Sequence, residues 1–189
     1  MMQEFIDFVD EVYPSLAYDV KEKAKMAVRD FEEMNCPNAF LMWDNLGELS
    51  QGDVLSEIPF CYFDEEGQQK IFKAKAMVLS MSCDIENNDM ILLAPVLRLA
   101  DYEADVSSIV HNRTLTYLYY PDDRLKDYYI DFSYASTFSS SFIQELLNDK
   151  KLSKIASLDQ VGYYMFLCKL SIFFTRREDP QTQQDRKKT

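Results

Sequence analysis

The chain begins with apolar positions at helical spacing. Phe5, Val9 and Val12 make a short stripe that Pro14 ends or restarts. Val20, Ala24, Ala27, Phe31 and Met34 make a longer one, with Lys21, Glu22, Lys23 and Lys25 between them. That spacing predicts a helix with one buried face, stopped by Asn35-Cys36-Pro37-Asn38. The FLMW run at Phe40–Trp43 reads as a tether onto the core, and Asn45-Leu46-Gly47 and Gln51-Gly52-Asp53 mark the turn into a sheet. From about Val54 the apolar period changes from helical to two. Ile58, Phe60 and Tyr62 share a face, with Pro59 suited to an edge, and Glu65-Glu66-Gly67 reads as a hairpin turn. In KAKAMVLSMSC the alternation puts Met77, Leu79, Met81 and Cys83 on one face and Ala76, Val78, Ser80 and Ser82 on the other. Asp84 then begins a turn through Asn87-Asn88 into MILLAPV, a strand apolar on both faces that Pro95 should end.

Two further strands are expected at 115–120 (LTYLYY) and 127–134 (DYYIDFSY), the latter with Tyr128, Ile130, Phe132 and Tyr134 facing one way. The period then returns to helical. Ser141 with Gln144, and Ser157 with Gln160, match the capping box, and Gln160 to Phe174 is apolar on nearly every helical face. Such a helix is deeply packed or covers an interface with another copy. The resulting expectation is an α+β chain: a single domain over residues 1–175, with helices in 1–45, a small antiparallel SH3-like β-barrel in 52–135 and helices in 141–175, followed by a frayed polar tail at 176–189.

Composition supports a packed core: 47% of residues are hydrophobic and 14% aromatic. Cys36, Cys61, Cys83 and Cys168 are far apart with no CxxC pair, which points to reduced thiols and a cytoplasmic protein rather than a disulfide framework. The acidic start MMQEFIDFVDEVYP lacks the basic region of a signal peptide, and VGYYMFLCKLSIFF is too short for a membrane span and carries Lys169. Net charge is −12, and it is uneven: residues from Arg176 onward hold five basic and three acidic side chains, leaving 15 basic and 29 acidic in the rest. A surface of that sign repels phosphate backbones, so nucleic acid is a disfavoured partner.

The candidate chemistry is sparse. His111 is the one histidine, so a multi-histidine metal site within the chain is excluded, and no metal or cofactor is expected. Cys83 with His111 has the residue types of a nucleophile and its base, although the alternation makes Cys83 a packed core thiol. Asp84, His111 and Arg113 have the types needed for phosphodiester cleavage: a base, an acid and a cation for the developing charge. Asp84 equally suits a turn that bonds its own backbone, and HNRT at 111–114 suits a loop leading into a strand.

Gly52-Asp53-Val54, then KAKAMVLS, then MILLAPV, resembles the opening of the MazF/PemK family of toxin endoribonucleases, over residues 52 to 97. Ser80, Cys83 and Asp84 extend a second resemblance, to uncharacterised bacterial and phage-encoded proteins with a Leu-Ser-x-x-Cys-Asp segment after a Gly-Asp strand. The first resemblance implies an SH3-like barrel. It departs from the toxin pattern at Lys75-Ala76, where the family has Arg-Pro, and at Pro95-Val96-Leu97-Arg98, where a Ser or Thr is usual. Two functions follow as expectations. One is a non-enzymatic protein-interaction module on a MazF-like barrel, in a toxin–antitoxin, phage or defence setting, using the tyrosine-rich YLYYPDD…DYYIDFSY section to engage a protein partner. The other is a divergent MazF-like endoribonuclease using Asp84, His111 and Arg113.

Overall fold

The period-two region builds the centre of the molecule. The computed structural model describes residue 22, residues 40–175 and residues 179–187. Seven strands form one antiparallel sheet: β1 (Val54–Phe63), β2 (Gln69–Val78), β3 (Met90–Arg98), β4 (Tyr117–Leu118), β5 (Tyr128–Asp131), β6 (Ser136–Ser139) and β7 (Lys154–Ala156). Five helices accompany it among the described residues: α1 (Ser82–Asn87), α2 (Ser107–Val110), α3 (Ser140–Asn148), α4 (Gln160–Thr175) and α5 (Pro180–Arg186). The chain is therefore α+β. Strand order is β4-β5-β3-β2-β1-β7, with β6 also on β3, and these pairings leave the sheet open, with β4 and β7 at its two ends. The helices expected within residues 1–34, and the stop that contains Cys36, lie outside the described residues except for helical Glu22.

The β1–β2 hairpin turns at Asp64–Gln68. Asp64 Oδ1 accepts from the Glu66 and Gln68 amides, and Gly67 supplies the positive φ of 76° that the turn requires. A bulge between Leu55 and Ile58 shifts the register and puts both residues on one face. Leu55, Ile58 and Phe60 join Ala74, Ala76, Val78, Ile91 and Leu93 beneath Ile143 of α3 and Ile85 of α1. Val54, Met77, Leu79, Ala94 and Val96 face the other way, under Met165 and Phe166 of α4 and against Phe40 and Leu41. The sheet is thus covered on both faces. The FLMW tether holds at Phe40 and Leu41, which are buried, whereas Trp43 is exposed. Gly162 lets α4 approach closely, because a Cβ there would lie 2.2 Å from the Phe40 carbonyl oxygen.

Pro59 does lie at an edge, in a stretch of β1 paired only to β2, since β7 pairs only with Val54 and Leu55. Other expectations differ in the details. Pro95 does not end its strand: β3 continues to Arg98, and Pro95 sits where the far-side partner changes from β6 to β5. The alternation at 127–134 stops at Asp131, whose side chain accepts from the Ser133 amide and turns Phe132–Tyr134 into a 3₁₀ turn. The strand at 115–120 shrinks to Tyr117–Leu118. Ser139, not Ser141, caps α3. Asp159, not Ser157, accepts from Gly162 N at the start of α4 (2.8 Å). Within the tail, Asp179 caps the exposed helix α5.

Candidate functional site

The strand carrying the thiol and carboxylate ends earlier than its alternation suggests. β2 stops at Val78, and Ser80 Oγ then accepts from Leu92 N (2.8 Å), replacing a ladder bond with a side-chain bond. The chain turns into α1, where Asp84 lies in the first turn and favours the positive end of the helix dipole. Ile85 is the buried residue of this helix, while Cys83 and Asp84 are exposed. The expected inward packing of Cys83 is therefore corrected: it is a free surface thiol. The two halves of the sequence motif do meet, through one backbone bond and two that use a side chain. Gly52 N donates to Val78 O (2.9 Å), Gln51 N to Ser82 Oγ (3.2 Å), and Gln51 Nε2 to Leu79 O (2.8 Å). Tyr163 Oη donates to Gln51 Oε1 (2.8 Å), fastening α4 to the same turn.

His111 and Arg113 follow α2, past the far end of β3. His111 is exposed, with Nδ1 2.7 Å from the Ser107 carbonyl oxygen, and Arg113 is exposed as well. Between them Asn112 takes a φ of 50° and clasps β4, donating to Tyr119 O and accepting from Tyr119 N. Lys169 of α4 holds the same loop, donating from Nζ to the Asn112 and Thr114 carbonyls at 2.6 Å each. Burial lowers its pKa to about 8. No hydrogen bond or ion pair among the described residues joins Cys83 or Asp84 to His111 or Arg113. Nor do the described residues contain a group of three His, Cys, Asp or Glu side chains fit to hold a metal ion.

Two buried carboxylates hold more of the polar structure than the exposed candidates do. Asp53 is fully buried. Its Oδ1 accepts from Ser157 Oγ (2.6 Å), and its Oδ2 accepts from Ser50 N and pairs with Lys154 Nζ, both at 2.7 Å. Lys154 also donates to the Leu46 and Glu48 carbonyls, and Ser157 Oγ accepts from Leu46 N. The Gly-Asp motif is thereby a buried knot that ties the 46–53 loop to β7.

Asp131, at the end of β5, is only 3% exposed. Its Oδ1 accepts from Ser133 N and Ser133 Oγ (2.9 and 2.5 Å), while Oδ2 accepts no hydrogen bond among the described residues. Among the described residues, the fully enclosed side-chain polar atoms without a partner are Thr114 Oγ1 and Ser140 Oγ, and Asp131 Oδ2 is not one of them. Tyr117 is its cross-strand neighbour, and Tyr129 precedes it by two residues on the same face. With Tyr102 these form three edge-to-face rings, centroids 5.1 to 5.9 Å apart. Burial raises the Asp131 pKa against the opposing Ser133 bonds. Burial, with Asp131 as the next contributor, pushes Tyr117 up to about 12 and raises Tyr129 too.

Tyr134 extends this set towards the β1–β2 hairpin, packing on Tyr62 (5.4 Å) and Phe72 (5.8 Å). Tyr62 and Tyr134 are each 37% exposed. Asp101 and Glu103 flank Tyr102; both are exposed and without an ion pair among the described residues. The arrangement is an aromatic surface with a recessed negative oxygen at one end. It suits recognition of a cation or an apolar side chain, and it presents no nucleophile–base pair. The tyrosines are marked in the sequence by YLYY and DYYIDFSY, but nothing there signals that no cation among the described residues would pair with Asp131. No family model matches the chain, and no curated protein matches it.

Proposed function

We propose that the protein is a non-enzymatic, cytoplasmic protein-interaction module whose contact surface is the tyrosine-lined face. The observation that carries this reading is Asp131, 3% exposed and with one oxygen that accepts no hydrogen bond among the described residues, among Tyr102, Tyr117 and Tyr129 and beside half-exposed Tyr62 and Tyr134. Tyrosines give large contact area at low entropic cost and are enriched where partners bind. The net charge of −12 favours a basic protein surface and disfavours RNA. The Gln51-Gly52-Asp53 turn seated on Val78–Ser82 supports reading the sheet as a relative of the SH3-like MazF/PemK barrel, used here as a scaffold in a toxin–antitoxin, phage or defence setting.

The test compares capture by the full chain with capture by a Tyr62→Ala, Tyr134→Ala variant. A protein retained by the first, lost by the second and re-bound when purified is the expected result. If no captured protein distinguishes the two, and the clean protein cleaves RNA in a manner abolished by Asp84→Ala or His111→Ala, the interaction reading is wrong and the ribonuclease reading replaces it.

A further inference from the structure

Resting on that reading, we infer that the niche formed by Asp131, Tyr102, Tyr117 and Tyr129 receives the ammonium group of a lysine side chain on the protein partner. A buried carboxylate calls for a cation, and among the described residues none is bonded to this one. Ser133 already occupies Oδ1 with two hydrogen bonds, leaving a single oxygen. That excludes the two-pronged contact by which a guanidinium grips a carboxylate, and it fits a compact point charge. The three rings pack edge-to-face on one another, and a ring face turned to the ligand would attract a cation further.

The same strand already shows this chemistry on its other face. Lys75 Nζ lies 3.4 Å from the ring centroid of Tyr128, the residue beside Tyr129. Outside the niche, Asp101 and Glu103 add negative charge that would steer a basic segment towards it. The long methylene stem of a lysine would lie on aromatic surface while its head reaches the oxygen.

The test is calorimetric titration of the full chain at low salt with three blocked pentapeptides: pentalysine, its fully Nε-acetylated form and penta-arginine. Pentalysine is expected to bind, the acetylated peptide not to bind, and penta-arginine to bind more weakly. Asp131→Asn, which keeps the Ser133 bonds, should weaken pentalysine about tenfold. Asp84→Asn, an exposed carboxylate on α1, should weaken it by less than about twofold, because surface charges are screened. Equal effects of the two substitutions, tighter binding of penta-arginine, or no binding of pentalysine would overturn the lysine assignment. The acetylated comparison uses the unsubstituted chain, so it stands even where a variant folds poorly. If pentalysine fails while a partner is still captured through Tyr62 and Tyr134, the lysine inference falls and the interaction module survives.

Discussion

Asp53 and Asp131 are both buried carboxylates at strand ends, 0% and 3% exposed, and their surroundings differ in one component. Each has a serine hydroxyl and a backbone amide as donors. Asp53 also has Lys154, brought across the sheet edge by β7, whereas Asp131 has tyrosine rings where a cation would belong. The first arrangement returns in Coulomb attraction what desolvation costs, and its effect is to fix a loop. The second leaves desolvation unbalanced, which is the pattern expected of a group kept for an external ligand. On the proposed reading, the difference would separate a structural acid from a recognition acid within one sheet.

The largest loss of stability is expected at Asp53. Asp53→Ala leaves Lys154 buried without its acid and Ser157 without its acceptor, and should cost about 3–5 kcal/mol in denaturant-induced unfolding. Lys154→Met, which strands Asp53 instead, should cost a similar amount. Combining Asp53→Asn with Lys154→Met should recover more than half of the Lys154→Met loss. If either single substitution costs less than about 1 kcal/mol, the knot at Asp53 does not hold the fold as described.

Lys169 is another buried charge, 7% exposed and bound to two carbonyls with no acid paired to it among the described residues. Its folded pKa of about 8 lies below the ordinary 10.5, so the folded state binds fewer protons between those values. Stability from this group therefore rises as pH climbs from 8 towards 10.5, and is lost as pH falls through 8. Cys168, pushed up to about 12 by burial, opposes the rise above pH 9, so the useful quantity is a difference between two proteins. The stability of the unsubstituted chain minus that of Lys169→Met should grow by on the order of 1–2 kcal/mol from pH 7.5 to pH 10. A difference independent of pH would mean that Lys169 is not desolvated as its burial implies.

Local pattern made the hairpin turn, the central strands and the long apolar α4 legible, because each is set by residues near one another. The role of Asp53 was not, since Lys154 and Ser157 arrive about a hundred residues later, on and just past a strand of three residues that is too short to announce itself. Cys83 was misplaced for a related reason. Alternation over VLSMSC fits a strand, but Ser80 takes the Leu92 amide and releases the following residues into a helix. Periods of two and 3.6 differ little over a half-dozen residues, so tertiary bonding decides. The tyrosines were visible as an unusual density of aromatic residues. That Asp131 would be buried beside them with no cation among the described residues bonded to it depends on which side chains fail to reach it, and no sequence window reports that.

The smallest expected effect on stability is also the most informative. Asp131→Asn preserves an acceptor for Ser133 N and Ser133 Oγ, and it removes a charge whose pKa is raised by burial. A raised carboxyl pKa means the protonated form is favoured in the fold, so this group's stabilisation is present below about pH 3.8 and lost as pH rises through the folded value. At pH 7 the asparagine variant should therefore unfold at equal or slightly higher denaturant, a gain of no more than about 1 kcal/mol. The change should vanish at pH 3, where Asp131 is itself neutral. A clear loss at pH 7 would mean that the carboxylate is stabilised in the fold by groups other than Ser133, and Asp131 would then belong with Asp53 as a structural acid. Retained stability with the loss of pentalysine binding would place the two aspartates on opposite sides of the division between holding the fold and using it.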